Sequence, residues 1–183
     1  MQASTRINKY PKLMIAIHWL TLILILSAVA LVFLRDAIEG KAPRLWLLNL
    51  HRSIGLLIPL VLLFRLSILF YFRKAVPVHD LPLPVKLASK INHAAIYLVL
   101  AVQPFLGWAQ TSASGKDASF FGIIPLPAIV SEDMDFAETL ADWHEWAAYA
   151  LLFLVLSHAV AALWHHYVKK DHVLTAMLWP SKA

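Results

Sequence analysis

A chain of 183 residues that is 60% hydrophobic, with a mean hydropathy of +0.67 and a formal charge of +5, is too apolar for an ordinary soluble domain. It contains no cysteine, which excludes thiolate-held iron–sulfur clusters, thiolate-ligated haem, covalent haem attachment through C-x-x-C-H, and disulfides. The basic residues sit at the flanks of the apolar stretches, so the positive charge reads as membrane topology and not as a nucleic-acid surface.

Four apolar stretches, 13–34, 45–72, 91–113 and 136–168, are each long enough to cross a bilayer as a helix. They use nearly the whole chain, so 1–183 is expected to form a single domain, an all-α integral membrane four-helix bundle. There is no internal repeat and no low-complexity tract. Arg6, Lys9 and Lys12 precede the first stretch. Arg73, Lys74, Lys86 and Lys90 lie between the second and third, and Lys169, Lys170 and Lys182 follow the fourth. The opposite loops hold Arg35, Lys41, Arg44 and Lys116, diluted by seven acidic residues between Asp36 and Glu138. Positive charge marks the cytoplasmic side, so both termini are expected there.

The first stretch mimics a signal peptide, with Ala28-Val29-Ala30 in place of a cleavage site. The apolar run continues through Leu34, so it reads as an uncleaved span. Its His18 lies six residues after Lys12, roughly 9 Å inside the cytoplasmic end. The second stretch opens with Trp46 at the outer interface and carries His51 soon after. Arg65 follows fourteen residues later on nearly the same face. It either snorkels to the headgroups or pairs with a cofactor carboxylate; Arg52 offers the same choice at the outer side. Pro59 is expected to kink this helix.

Residues 73–90, with Pro77, Pro82 and Pro84, read as a basic linker in which His79 is solvated. His93 opens the third span near its cytoplasmic end, as a substrate-site candidate or as an interfacial residue. Pro104 and Gly107 are expected to break up this helix before Trp108. The outer loop that follows is either a lid or an ordinary surface connection.

The fourth stretch carries His144 and His158, fourteen residues apart. Fourteen steps of about 100° fall roughly 40° short of four turns, so both rings share a face, roughly 21 Å apart along the axis. His165 and His166 follow near the cytoplasmic end, on different faces. The tail KKDHVLTAMLWP reads as an amphipathic segment on the inner interface. Trp46, Trp108, Trp143 and Trp146 mark the outer boundary; Tyr10, Trp19, Tyr71, Trp164, Tyr167 and Trp179 mark the inner one.

Depth now pairs the histidines. His18 and His158 are both near the inner face, His51 and His144 near the outer. Zinc prefers four ligands, or three and a water, and di-iron sites need Glu-x-x-His pairs, which are absent. Two histidines on opposite sides of a plane suit a six-coordinate haem, and closed coordination favours electron transfer over oxygen binding.

These stretches resemble the bacterial cytochrome b561 family of four-helix dihaem membrane proteins. The resemblance rests on IAIHWL at 15–20, NLHRSIGLLIPLVLLFRL at 49–66, PFLGWAQTSASG at 104–115, WHEWAAYALLFLVLSHAVAALWHHY at 143–167 and KKD at 169–171. It implies two b-type haems with His18, His51, His144 and His158 as axial ligands, in a bacterial cytoplasmic (inner) membrane. It also favours a cofactor role for Arg65. It departs from the family at Ala176, where members often carry an arginine. The family includes a superoxide oxidase, which passes electrons from superoxide to ubiquinone. That implies an enzyme with lipid, quinone and superoxide, or another outer-face redox partner, around it. Lys41, Arg44 and Lys116, with Arg35 and Arg52, would steer the anion. His93, His165, Arg65 and Trp164 are the quinone-site candidates. The other reading is a haem-bearing cytochrome b anchor that relays electrons between quinone and a protein partner.

Overall fold

The computed structural model describes residues 9–77 and 81–178. Arg6, His79, Trp179 and Lys182, to which the sequence assigns positions relative to the membrane, lie outside the described residues. Four long helices run up and down in chain order: α1 (Lys12–Ala37), α2 (Lys41–Tyr71), α3 (Leu83–Ala113) and α4 (Met134–Trp164). A hairpin of β1 (Ala118–Phe120) and β2 (Ile124–Leu126) lies between α3 and α4, and the four-residue helix α5 (Val173–Ala176) is the last element among the described residues. All four long helices are apolar enough to cross a membrane. α1 has 26 residues and the others 31 each, so at about 1.5 Å per residue each exceeds the roughly 30 Å hydrocarbon layer. Large apolar side chains such as Ile23, Phe33, Leu63, Leu98 and Phe153 are exposed on the outside of the bundle, as lipid requires and water forbids.

The bundle has two ends. The terminal end holds the start of α1, the α2–α3 connection and α5. The hairpin end holds the α1–α2 turn, the β-hairpin and the start of α4. Gly40, at φ 93°, makes the α1–α2 turn in a backbone conformation that costs other residues strain. Asp133 starts α4 by accepting the Phe136 N–H at 2.9 Å.

Helix α3 departs from the sequence expectation twice. It begins at Leu83, not 91, so the second half of the expected linker is helix. Pro82 and Pro84 sit at its first turn, where a missing N–H costs nothing. It also runs unbroken through Pro104 and Gly107 to Ala113. Pro104 is buried among its neighbours, and packed helices in a membrane tolerate proline within a span. Beyond Gly107, Thr111, Ser112 and Ser114 each return a hydroxyl to the carbonyl four residues back, at 2.9, 3.1 and 2.9 Å.

Close helix neighbours follow chain order: α1 on α2, α2 on α3, α3 on α4. The central core is a layer of Ile25, Ile58, Leu62, Leu100 and Leu151. Ile25 and Ile58 each lie seven residues beyond a histidine, and Leu151 lies seven from both His144 and His158. A second cluster of Met14, Ile17 and Ile68 packs the terminal end, and a third of Ala113, Ala137 and Leu140 the hairpin end.

Candidate functional site

The histidines bridge helices that are not close neighbours. His18 of α1 faces His158 of α4 with ring centroids 6.2 Å apart. His51 of α2 faces His144 of α4 at 6.1 Å. With metal–nitrogen bonds of about 2 Å and about 1 Å more to each ring centre, imidazoles on opposite sides of one metal ion have centroids roughly 6 Å apart. Both pairs stand at that spacing, one towards each end of the bundle, with the aliphatic layer between them.

The surroundings of the hairpin-end pair are built for its rings. His51 Nδ1 lies 2.8 Å from the Ala28 carbonyl of α1, and His144 Nδ1 lies 3.1 Å from the Gln103 carbonyl of α3. A carbonyl only accepts, so both Nδ1 atoms carry the proton and both Nε2 atoms keep their lone pair. Metal-binding histidines are oriented in this way, the second nitrogen donating to a carbonyl. Gly107 leaves room for the His144 ring: a Cβ there would stand 3.1 Å from His144 Cε1. On α2, one turn beyond His51, a Cβ added to Gly55 would meet nothing within 4 Å, so the flank of this pair is open to a broad planar group. The donor set and the space therefore fit an iron porphyrin.

The terminal-end pair differs. Arg65 Nη2 lies 2.8 Å from His18 Nδ1, and its guanidinium also stands over the Tyr97 ring, 5.4 Å from the centroid. Arg65 thus reaches inward to a histidine and does not run out to the headgroups. His93 packs edge-on against His158 at 4.8 Å, too close for a metal between them, and its Nδ1 donates to the Ser89 carbonyl at 2.6 Å.

Other candidates scatter. His165 opens a π-helical turn, His165–Lys169, and pairs through Nδ1 with Asp171. Trp164 faces outward and lines a shallow apolar groove with Val160, Leu163 and Tyr167. Arg52, expected to meet a cofactor carboxylate, donates to Asn49 Oδ1 at 3.2 Å. Arg35 and Arg44 both approach Asp36, at 2.8 and 3.6 Å, which offsets part of the positive charge expected of that loop. The hairpin rests on α2, where Ser53 accepts the Phe121 N–H at 2.8 Å and donates to the Asn49 carbonyl at 2.8 Å. Ala176 is fully buried and its carbonyl accepts the Tyr10 N–H at 3.2 Å, so no long basic side chain fits at that position.

Sequence reasoning passed over Gln103, Gly107, Ser53, and the pair Asn92 and Ser157. The last two meet at 3.4 Å, each directly before a paired or neighbouring histidine. A polar residue within an apolar span was the available signal.

A family model described as prokaryotic cytochrome b561 matches residues 9–180. This chain belongs to the prokaryotic cytochrome b561 family. Its relatives include a protein of Yersinia pestis named probable superoxide oxidase CybB, 36% identical over 175 residues that cover 93% of this chain and 96% of the relative. Two proteins of Escherichia coli strain K12, cytochrome b561 homologs 1 and 2, are each 30% identical. The first match covers 93% of this chain and 97% of the relative, the second 96% and 94%. As a cytochrome b561 family member, the chain is a multi-pass membrane electron-transfer protein that binds haem b.

Proposed function

We propose that the chain is a dihaem electron carrier that oxidises superoxide at its hairpin end and reduces ubiquinone at its terminal end. The observation that carries this reading is the two histidine pairs at metal-bridging spacing, one towards each end of the bundle. His18 with His158, and His51 with His144, would each hold one haem between them. Bound haem supplies a one-electron store at each level. With haem bound, Arg65 would meet a carboxylate of the terminal-end haem and Arg52 one at the hairpin end. The hairpin end faces the outside and the terminal end the cytoplasm, since Lys9, Lys12, Arg73, Lys74, Lys86, Lys90, Lys169 and Lys170 gather at the latter. The membrane is then the bacterial inner membrane.

Each superoxide ion gives up one electron and leaves as dioxygen. Two electrons and two protons convert ubiquinone to ubiquinol. Lys41, Arg44 and Lys116 draw the anion to the hairpin end. His93, packed against His158, is the leading quinone-site residue, with Trp164 at the end of α4 and His165 just beyond it. The relative named probable superoxide oxidase supports this choice of reductant.

The test uses the full chain in detergent. Haem per chain and a reduced-minus-oxidised spectrum are recorded, then superoxide is added with ubiquinone present. Two b-type haems per chain, reduced by superoxide and reoxidised by quinone, are the expected result. Haems that respond to quinol and ignore superoxide would replace this reading with that of a relay serving a protein partner. No haem would remove the ligand assignment altogether.

A further inference from the structure

We propose that Gln103 is the positioning residue of the hairpin-end histidine pair, fixing with Gly107 the ring of His144 and the nitrogen it presents. This rests on the reading of His51 and His144 as haem ligands. Gln103 and His144 are joined twice. The Gln103 Nε2 donates to the His144 carbonyl at 2.7 Å, and the His144 ring donates from Nδ1 to the Gln103 carbonyl at 3.1 Å. One link holds the backbone of α4 against α3, and the other sets the tautomer and the tilt of the ring. Four residues on, the same face of α3 presents Gly107, whose added Cβ would stand 3.1 Å from His144 Cε1 and 3.3 Å from Nδ1. The ring therefore lies in a slot whose two walls are one residue each.

Helix adhesion alone does not account for the amide. Gln103 Oε1 is buried without a donor, so half of the group goes unused, which is costly inside a membrane span. A leucine would fill the space without that cost. The helices α3 and α4 are also joined at their other end by Asn92 and Ser157. What a leucine cannot do is fix the His144 backbone relative to the carbonyl that holds its ring. Among the described residues the partner ring, His51, has one hydrogen bond, to the Ala28 carbonyl, so the control sits on one side of the pair.

The experiment compares the full-length haem-loaded protein with Gln103→Leu, Gly107→Ala and His144→Ala. The last identifies which low-spin ferric signal, in electron paramagnetic resonance, belongs to the hairpin-end haem. Gln103→Leu is expected to keep both haems, to shift that signal and to leave the other in place. It should release that haem to a scavenging apoprotein about tenfold faster, the scale on which outer partners of metal-bound histidines act. Gly107→Ala should shift the same signal further. An unchanged signal and release rate in Gln103→Leu would overturn the proposal, as would equal shifts in both haems, the mark of general loosening. A parent protein with no His144-dependent haem would defeat the functional reading instead. In that preparation 15N spectra of labelled histidine decide the slot. Loss of an Nδ1-protonated His144 on Gln103→Leu supports it, and an unaltered spectrum overturns it.

Discussion

Arg65 of α2 reaches across to α1 and places its Nη2 2.8 Å from Nδ1 of His18. A guanidinium cannot accept a hydrogen bond, so this Nδ1 accepts and the ring proton lies on Nε2. His144 and His51 hold the opposite tautomer, each with Nδ1 against a carbonyl. The two pairs are thus prepared differently. For His18 to bind a metal through Nε2 as a neutral ring, Arg65 must release Nδ1. While it holds His18, the guanidinium also stands over the Tyr97 ring, where a cation is attracted to the aromatic face.

Arg65→Gln follows from this. If the arginine moves to a cofactor carboxylate, the variant should lose its terminal-end haem about tenfold more readily, while the hairpin-end haem is retained. Haem-release kinetics resolved by spectrum measure this. Tighter retention would mean that Arg65 only competes for His18.

His144→Ala should remove the hairpin-end haem and largely spare the other; His158→Ala should do the reverse. Haem per chain, with the spectrum of the haem that stays, reads the outcome directly. If each variant keeps both haems, the depth pairing is wrong.

Neutralising Lys41, Arg44 and Lys116 together should slow the reaction with superoxide about three- to tenfold at low ionic strength and flatten its salt dependence. Arg44 already shares Asp36 with Arg35, so Lys41 and Lys116 should carry most of the effect. Pulse-generated superoxide with optical detection of haem reduction gives the rate. A rate that does not change at any salt concentration ends the steering idea.

Ser53→Ala should free the hairpin from α2. The buried hydroxyl is the acceptor for Phe121 N–H, and its loss costs about 1 kcal/mol. Amide exchange across 118–126 should quicken about fivefold while the exchange of α3 stays as it was. Uniform acceleration would point to a wider disturbance.

Gly115→Ala and Gly122→Ala separate backbone strain from crowding. Both glycines have positive φ, 63° and 71°. A Cβ on Gly115 would stand 2.9 Å from the Glu132 carboxyl carbon, whereas one on Gly122 meets nothing within 4 Å. Both should lose about 1 kcal/mol from strain, and Gly115→Ala the more. Thermal unfolding in detergent ranks them, and equal losses would show that Glu132 simply swings away.

The four helices were legible because a predominantly apolar stretch of twenty or more residues has few other stable forms. The facing of His18 with His158 and of His51 with His144 was legible because helical rise converts residue number into depth. Prolines misled in two places. Pro82 and Pro84 look like a linker until they are placed in a first turn, and Pro104 looks like a break until it is placed inside a packed membrane helix, buried among its neighbours. The strands of the hairpin span three residues each, too few for alternation to stand out between glycine and proline. Gln103 was hidden for another reason. Its importance lies in a carbonyl and an amide meeting the two matching groups of His144, and sequence spacing does not encode contacts between α3 and α4. Arg52 illustrates the reverse: its partner Asn49 is three residues away on its own helix, a contact that sequence spacing does encode.

The layer of Ile25, Ile58, Leu62, Leu100 and Leu151 has a consequence for what can pass between the two histidine levels. A proton moves by hopping between oxygen and nitrogen atoms at hydrogen-bond distance, about 3 Å. The side chains of these five residues contain neither element. Water is not held in so apolar a place. An electron needs no such stepping-stones and can tunnel through hydrocarbon. With a haem at each level, as proposed, this layer would favour the passage of electrons over ions, and charge moved along the bundle would stay separated across the membrane.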